Sequence, residues 1–91
     1  MNYQIRYAEN SLSDFNKGLV YYESVSISLV QRFKMEFWDC IDRLKENPKA
    51  FQKRYLNIRM AKVKYFPFTI HFLVKKETIY VLRVLHEKRE Y

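Results

Sequence analysis

The residue types best suited to chemistry stand together at the carboxyl end of the sequence. His86, Lys88, Arg89 and Tyr91 directly follow an apolar run over residues 78–85. Nearby positive charge lowers the pKa of an imidazole, and the neutral ring can then act as a general base. Cleavage of RNA through a 2′-hydroxyl needs such a base, an acid, and cations that stabilise the charge on phosphorus. We therefore predict catalytic roles for His86, Arg89 and Tyr91, with Lys88 as an alternative acid. A plain surface histidine at a strand end is the other interpretation of His86.

Further cations lie on the strand-like segments before this cluster. Arg59, Lys62 and Lys64 fall within residues 58–65, and Arg83 lies in the last segment. If the segments pair in sequence order, Arg59 and Arg83 could converge on one phosphate, whose oxygens match the planar fork of arginine. Salt bridges are the alternative for Arg83 and Arg89. We predict that binding of a substrate or partner involves Arg59, Lys62, Lys64, Arg83 and Lys88.

The basic residues are concentrated in the second half of the chain. Residues 1–48 carry six Lys/Arg and seven Asp/Glu, a net charge of −1, whereas residues 49–91 carry eleven and three, a net charge of +8. The two halves add up to the formal charge of +7. Such asymmetry indicates a polyanionic or acidic partner.

Several classes of function are disfavoured by the composition. The single cysteine, Cys40, excludes an internal disulfide and a CxxC zinc site, and it lies in an apolar helical pattern that indicates a core residue. We see no metal-spaced His/Asp cluster and no glycine-rich phosphate loop, so we predict neither a metal nor another cofactor. Without a run of eighteen apolar residues or a signal-peptide core, the chain is predicted to be cytoplasmic and not membrane-bound.

The first half of the sequence predicts one strand and one helical hairpin. Tyr3, Ile5 and Tyr7 alternate with polar residues, which indicates a short strand. A first helix should begin at an N-cap on Ser11 or Ser13 and end near Ser24, with an apolar stripe of Leu12, Phe15, Leu19 and Tyr22.

A second helix should follow after a short break. Ser28 and Gln31 fit a capping box, and Asn47-Pro48 should end the helix. Its predicted apolar stripe consists of Val30, Phe33, Phe37, Cys40, Ile41 and Leu44. Two helices joined by so short a break should form an antiparallel pair.

The second half predicts three strands after an irregular basic connection over residues 49–57. The expected strands cover 58–65, 66–74 and 78–85, with a hairpin connection over residues 75–78. Period-two alternation places Arg83 on the face of Val81 and Leu85, and His71 on the opposite face of the central strand from its phenylalanines. The prediction is a single α+β domain over residues 1–91, in the order β-α-α-β-β-β, with the hairpin packed on a mostly antiparallel sheet.

These residues together resemble the RelE/ParE superfamily of bacterial type II toxins, the plasmid stabilisation proteins. The resemblance rests on the order and spacing of Tyr3-x-Ile5, Leu44-x-x-Asn-Pro48, Ile58-Arg59, Phe66-Pro67-Phe68-x-Ile70 and the ending Val81-Leu-x-Val-Leu-His86-x-x-Arg89. It implies a two-helix hairpin on a small antiparallel sheet. It also implies a growth-inhibiting toxin that a cognate acidic antitoxin neutralises.

The resemblance leaves two targets open. RelE-like members cut messenger RNA on the ribosome without a metal, whereas ParE-like members inhibit DNA gyrase without known nuclease chemistry. In the nucleases an arginine typically follows an aromatic residue in the central strand, and here Thr69 follows Phe68. Arg89 matches the basic position near the end, and Tyr91 stands near the nuclease tyrosine. A non-toxic basic domain that binds nucleic acid is a third hypothesis.

Overall fold

The computed structural model describes residues 3–87 as two helices packed on one five-stranded sheet. The elements are β1 (Gln4–Tyr7), α1 (Glu9–Val25), α2 (Ile27–Glu46), a 3-10 turn (Pro48–Ala50), β2 (Lys53–Tyr55), β3 (Ile58–Lys62), β4 (Phe68–Lys75) and β5 (Thr78–His86). The strand order is β1-β5-β4-β3-β2, with β1 parallel to β5 and all other pairs antiparallel. The predicted α+β class, with its helical hairpin on a mostly antiparallel sheet, is confirmed.

Helix α1 starts earlier and buries a different face than the sequence pattern predicts. Its N-cap is Ala8, so the expected caps at Ser11 and Ser13 are wrong; Ser11 instead donates its hydroxyl proton to the Ala8 carbonyl at 2.7 Å. Leu12 is 54% exposed. The buried residues of α1 are Ser11, Asp14, Gly18 and Tyr22. Small residues let the helix approach the core closely, because a Cβ on Gly18 would lie 3.0 Å from the buried ring of Phe33.

Helix α2 supplies most of the buried apolar residues that the helices contribute to the core. Its N-cap is Ser26, whose side chain accepts a hydrogen bond from the Leu29 amide at 3.0 Å, so the predicted capping box at Ser28 is wrong. The helix ends before Asn47, as expected. All six residues of the predicted stripe are buried, namely Val30, Phe33, Phe37, Cys40, Ile41 and Leu44.

Cys40 is a core residue within this stripe. Its side chain is fully buried, and its thiol donates to the Lys62 carbonyl at 3.6 Å. Burial raises the pKa of the thiol to about 11. A thiol that stays protonated at neutral pH is a poor nucleophile, which agrees with its interpretation as a small apolar residue.

The sheet contains one strand that the sequence pattern did not predict. Residues 49–57 hold the 3-10 turn and β2, which pairs with β3 through Lys53↔Arg59 and Tyr55↔Ile58. The next connection is longer than expected, since β3 ends at Lys62 and β4 begins at Phe68. Tyr65 adopts a positive φ of 67° inside this connection.

A register shift in β5 changes which side chains share a face. Phe72 pairs with Val81 and His71 pairs with Arg83, so Leu82 is an extra residue in β5. The predicted common face of Val81, Arg83 and Leu85 is therefore wrong. Val81 and Val84 are buried in the core, whereas Arg83 and Leu85 pair with residues of the other sheet face.

Candidate functional site

Asp14 of α1 closes the free edge of β5. Beyond Ala8, β1 no longer pairs with β5, and the Asp14 carboxylate accepts a buried hydrogen bond from the Val84 amide at 3.0 Å. The same carboxylate accepts from Arg83 Nε at 2.7 Å and from Nη2 at 3.1 Å. Burial opposes ionisation of Asp14, but the hydrogen bonds from Arg83 and Val84 outweigh it and lower the pKa of the carboxyl below its ordinary value. The Arg83 charge is thus compensated within the fold.

His86 lies beside this ion pair, at the wall of a cavity of about 220 Å³. Its ring meets that of Phe68 edge-on, with centroids 5.1 Å apart. The cavity is lined by Asp14, Lys17, Gly18, Tyr21, Phe68, Val84 and His86. The predicted base therefore stands in a recess between α1 and the sheet, and the cation among the described lining residues is Lys17 of α1 rather than a cation of β3.

Lys62 and Lys64 have different surroundings. Lys62 donates to the Glu87 carboxylate and to the Phe66 carbonyl, both at 2.9 Å. Lys64 instead lines a shallow depression along α2 that also contains acidic side chains, among them Asp39 and Asp42. Neither lysine lines the cavity beside His86.

Arg59 and Arg83 do not converge on a common point, contrary to the prediction. Arg59 pairs with the buried Phe72, whereas Arg83 pairs with His71 on the other face of the sheet. Arg59 Nη1 donates to the Phe51 carbonyl at 2.5 Å and to the Lys49 carbonyl at 3.3 Å. Lys88, Arg89 and Tyr91 lie outside the described residues, so their predicted roles stay predictions.

A partly buried hydrogen-bond chain crosses the face of the sheet that the helices leave open. His71 is 6% exposed, and its Nδ1 lies 3.0 Å from the Tyr55 hydroxyl. Its Nε2 lies 3.0 Å from Thr69 Oγ1, which donates to the Leu85 carbonyl at 3.4 Å. A carbonyl can only accept, so Thr69 accepts from Nε2–H, and Nδ1 accepts from the Tyr55 hydroxyl.

The neutral state of His71 fits this chain. Burial lowers the pKa of the imidazole, the Arg83 charge lowers it further, and Asp14 opposes the change. A neutral ring with an unprotonated Nδ1 can accept a hydrogen bond from a phenol. The Tyr55 hydroxyl that donates it belongs to a residue that is 48% exposed.

The sequence pattern did not predict Asp14 or Tyr55 as site residues, and it placed His71 only on a sheet face. Asp14 stands four residues before Gly18 and eight before Tyr22, so the helical spacing did mark a buried face. Tyr55 gave no such signal, because its partner His71 lies on another strand, sixteen positions away.

Comparison with protein families decides the class of this molecule. The family model described as ParE toxin of type II toxin–antitoxin system, parDE, matches residues 5–91. The chain belongs to the ParE toxin family. The predicted membership of the RelE/ParE superfamily is thereby confirmed. A search of curated protein sequences gave no match.

Solved structures resemble this ParE family chain over most of its length. The chromosomal ParDE TA system from P. aeruginosa has a TM-score of 0.78 at 16% identity, covering 92% of this chain and 95% of that one. The RelB-RelE antitoxin–toxin complex from Methanococcus jannaschii has a TM-score of 0.52 at 25% identity, covering 90% and 89%. The first likeness establishes a shared fold across very different sequences.

Neither a metal site nor a membrane-spanning helix is found in the described part of the chain. Within residues 3–87, no three His, Cys, Asp or Glu side chains lie close enough together to bind a metal ion. Over the same residues, neither helix combines the length and apolar character that a membrane crossing needs.

Proposed function

We propose that this ParE family toxin arrests growth by binding DNA gyrase, and that a cognate acidic antitoxin neutralises it in the cytoplasm. The family match supports a toxin rather than a non-toxic binding domain. The family resemblance supplies gyrase as the target of ParE-like members. Binding rather than cleavage is the mechanism that best fits the positions and partners of Arg59, Lys62 and Arg83.

The observation that carries this proposal is that the predicted cations of β3 and β5 are not available beside His86. Arg83 is bound to Asp14 and Lys62 to Glu87, whereas Arg59 lies at the opposite end of the sheet. At the position where the nucleases typically carry arginine, Thr69 uses its hydroxyl within the sheet. A well-placed donor to a developing oxyanion contributes about 2.7–4 kcal/mol to catalysis, so a nuclease lacking these donors would be severely impaired.

An acidic antitoxin suits the charge and the relatives of the chain. The formal charge of +7 would attract an acidic segment that orders itself on binding. The structure from Methanococcus jannaschii is a complex of an antitoxin with a toxin. We propose a partner of the same kind for this chain.

A second candidate, ribosome-dependent cleavage of messenger RNA, is favoured by one arrangement. The Tyr55–His71–Thr69 chain provides a polarised phenol, with a neutral imidazole positioned to accept its proton. In that mechanism Tyr55 would act in addition to the predicted His86, Arg89 and Tyr91.

Two assays on the purified protein separate the candidates. We expect inhibition of supercoiling by gyrase, together with unchanged 5′ ends of messenger RNA in a cell-free translation reaction. New cuts that appear only with ribosomes, with gyrase unaffected, would overturn the gyrase proposal. In that event the residues that carry cleavage would be identified with five variants, namely Tyr55→Phe, His71→Gln, His86→Ala, Arg89→Ala and Tyr91→Phe.

A cellular control tests the toxin assignment itself. Induced expression should arrest growth, and co-expression of the acidic protein encoded beside the toxin should restore it. Harmless expression of a folded protein would support the non-toxic alternative instead.

A further inference from the structure

A groove lined by four cations lies at the end of the sheet opposite His86. It encloses about 630 Å³ beside the 3-10 turn, the start of β3 and the end of β4. We call it the cationic groove, and its lining residues are Lys49, Lys53, Asn57, Arg59, Leu73, Val74 and Lys75. Of these residues, only Arg59 is predicted from the sequence to bind a substrate or partner.

The charges of the cationic groove are not neutralised within the described part of the chain. No carboxylate is among its lining residues, and within residues 3–87 none of its four cations forms an ion pair. Arg59 is held by two backbone carbonyls, which fix its position without cancelling its charge. Like charges held together without a counter-ion raise the local potential and favour an anionic ligand.

Strand pairing sets the spread of these cations. Lys53 lies directly opposite Arg59 across the β2–β3 pair, and Arg59 lies opposite Phe72, three residues before Lys75 on β4. Neighbouring strands lie about 4.8 Å apart, and three residues of a strand span about 10 Å. From Lys53 to Lys75 the cations therefore cover about 10 Å across the strands and about 10 Å along them, or roughly 14 Å in all. Duplex DNA carries several phosphates over that length, since it has one charge every ~1.7 Å of axis.

Protection of a sheet edge explains only part of this arrangement. β2 is an edge strand, and lysine on an edge strand prevents pairing with other chains. That role covers Lys53. It does not account for Arg59 or Lys75, which belong to inner strands, nor for Lys49 in the 3-10 turn.

We propose that the cationic groove binds the phosphodiester backbone of a nucleic acid. Nucleic-acid binding goes beyond the proposed gyrase and antitoxin functions, and direct binding tests it whether or not gyrase is the target. Three of its four cations are lysines, which act as mobile point charges along a phosphate chain rather than as forks for a carboxylate. Its apolar part is limited to Leu73 and Val74, both half-buried, which offers little anchorage for a peptide side chain.

Salt-dependent binding by the purified full chain tests the proposal. Fluorescence anisotropy with a labelled DNA duplex of about 20 base pairs, in salt from about 50 to 200 mM, should give a slope of about −3.6 for log K against log salt. That slope corresponds to a loss of about 150-fold in affinity. Single-stranded RNA of equal length should give about −2.8, and the tighter of the two ligands identifies which nucleic acid the groove prefers.

Two matched double variants localise the binding. Lys53→Gln with Lys75→Gln should halve the duplex slope to about −1.8. Lys34→Gln with Lys45→Gln removes the same charge from exposed positions of α2 and should leave the slope unchanged. Circular dichroism and thermal melting of all variants confirm that each is folded.

Three results would overturn the assignment. They are equal slopes for the two double variants, no measurable binding at the lowest salt, or displacement of the DNA by an oligoglutamate peptide at a lower concentration than by unlabelled DNA. The last result would identify the groove as a site for an acidic peptide.

Discussion

The two ends of the sheet carry similar cations in different electrostatic states. At the end near His86, which we call the paired end, Arg83 and Lys62 form ion pairs with Asp14 and Glu87. At the other end, the lining of the cationic groove contains four cations and no carboxylate from residues 3–87. Chain-wide charge therefore does not show where charge is available to a ligand. Pairing in the folded state decides that.

The largest effect should come from removing the acceptor at the paired end. Asp14→Ala leaves the Val84 amide and the Arg83 guanidinium without their shared carboxylate, and we expect a loss of about 2–3 kcal/mol in the free energy of unfolding. Urea denaturation measures it. The control Asp39→Ala breaks an exposed helical pair with Arg43 and should cost less than about 0.5 kcal/mol. Equal losses in the two variants would contradict the special role of Asp14.

The next effect concerns His71, which lies between the two ends. His71→Gln should cost about 1–2 kcal/mol at neutral pH, because it disrupts the hydrogen bonds to Tyr55 and Thr69. It should also change the pH dependence. The folded pKa of His71 is lowered, so the unfolded chain binds the proton more tightly, and stability falls as pH drops below the ordinary histidine value of about 6.5.

Urea denaturation between neutral and mildly acidic pH checks this assignment. Wild type should lose stability across the interval, and the His71→Gln variant should lose less. If the free energy of unfolding of the variant depends on pH as steeply as that of wild type, another group controls the pH dependence. His86→Gln is the matched control, because it also removes one histidine but leaves His71 in place.

A smaller effect is expected for the Lys62–Glu87 pair. Its side chains are 59% and 33% exposed, so solvent screens their attraction. A double-mutant cycle with Lys62→Gln and Glu87→Gln should give a coupling energy below about 1 kcal/mol that decreases in high salt. A coupling as large as the effect of Asp14→Ala would remove the distinction between buried and exposed pairs.

The smallest effect, and the sharpest contrast, is expected in the cationic groove. Lys75→Gln removes an exposed cation that has no counter-ion among residues 3–87, so the free energy of unfolding should stay within about 0.5 kcal/mol of wild type or rise slightly. Thermal melting at low salt measures it. A clear loss of stability would show that Lys75 has a structural role and would weaken the comparison.

Local patterns predicted the parts of the fold that depend on neighbouring residues. The stripe of α2 was recovered in full, because a regular 3.6-residue period marks one buried face. The apolar stripe predicted for α1 differs from the face that the helix buries, because close packing at Gly18 and the ionic contact of Asp14 place small and polar residues inside. β2 was missed because its three residues are all exposed and show no alternation of polarity.

The candidate site depends on contacts that the sequence does not display. Asp14 and Arg83 are 69 positions apart, and the extra residue Leu82 in β5 reverses the face that simple alternation assigns to Arg83. The predicted convergence of Arg59 with Arg83 failed for the same reason. The sequence shows the excess of positive charge directly, but strand order determines which of the cations remain available to a ligand.

The parallel pairing of β1 with β5 has a consequence for the order of folding. Gln4 pairs with Thr78, a separation of 74 residues, and β5 lies between β1 and β4 in the sheet. Contacts so distant along the chain slow folding, because loop entropy is lost before the contacts form. During synthesis, β1 has no strand partner, and the Asp14 carboxylate has neither Arg83 nor Val84, until β5 has been translated. The sheet and the ion pair behind it therefore form only after nearly all of residues 3–87 have been made.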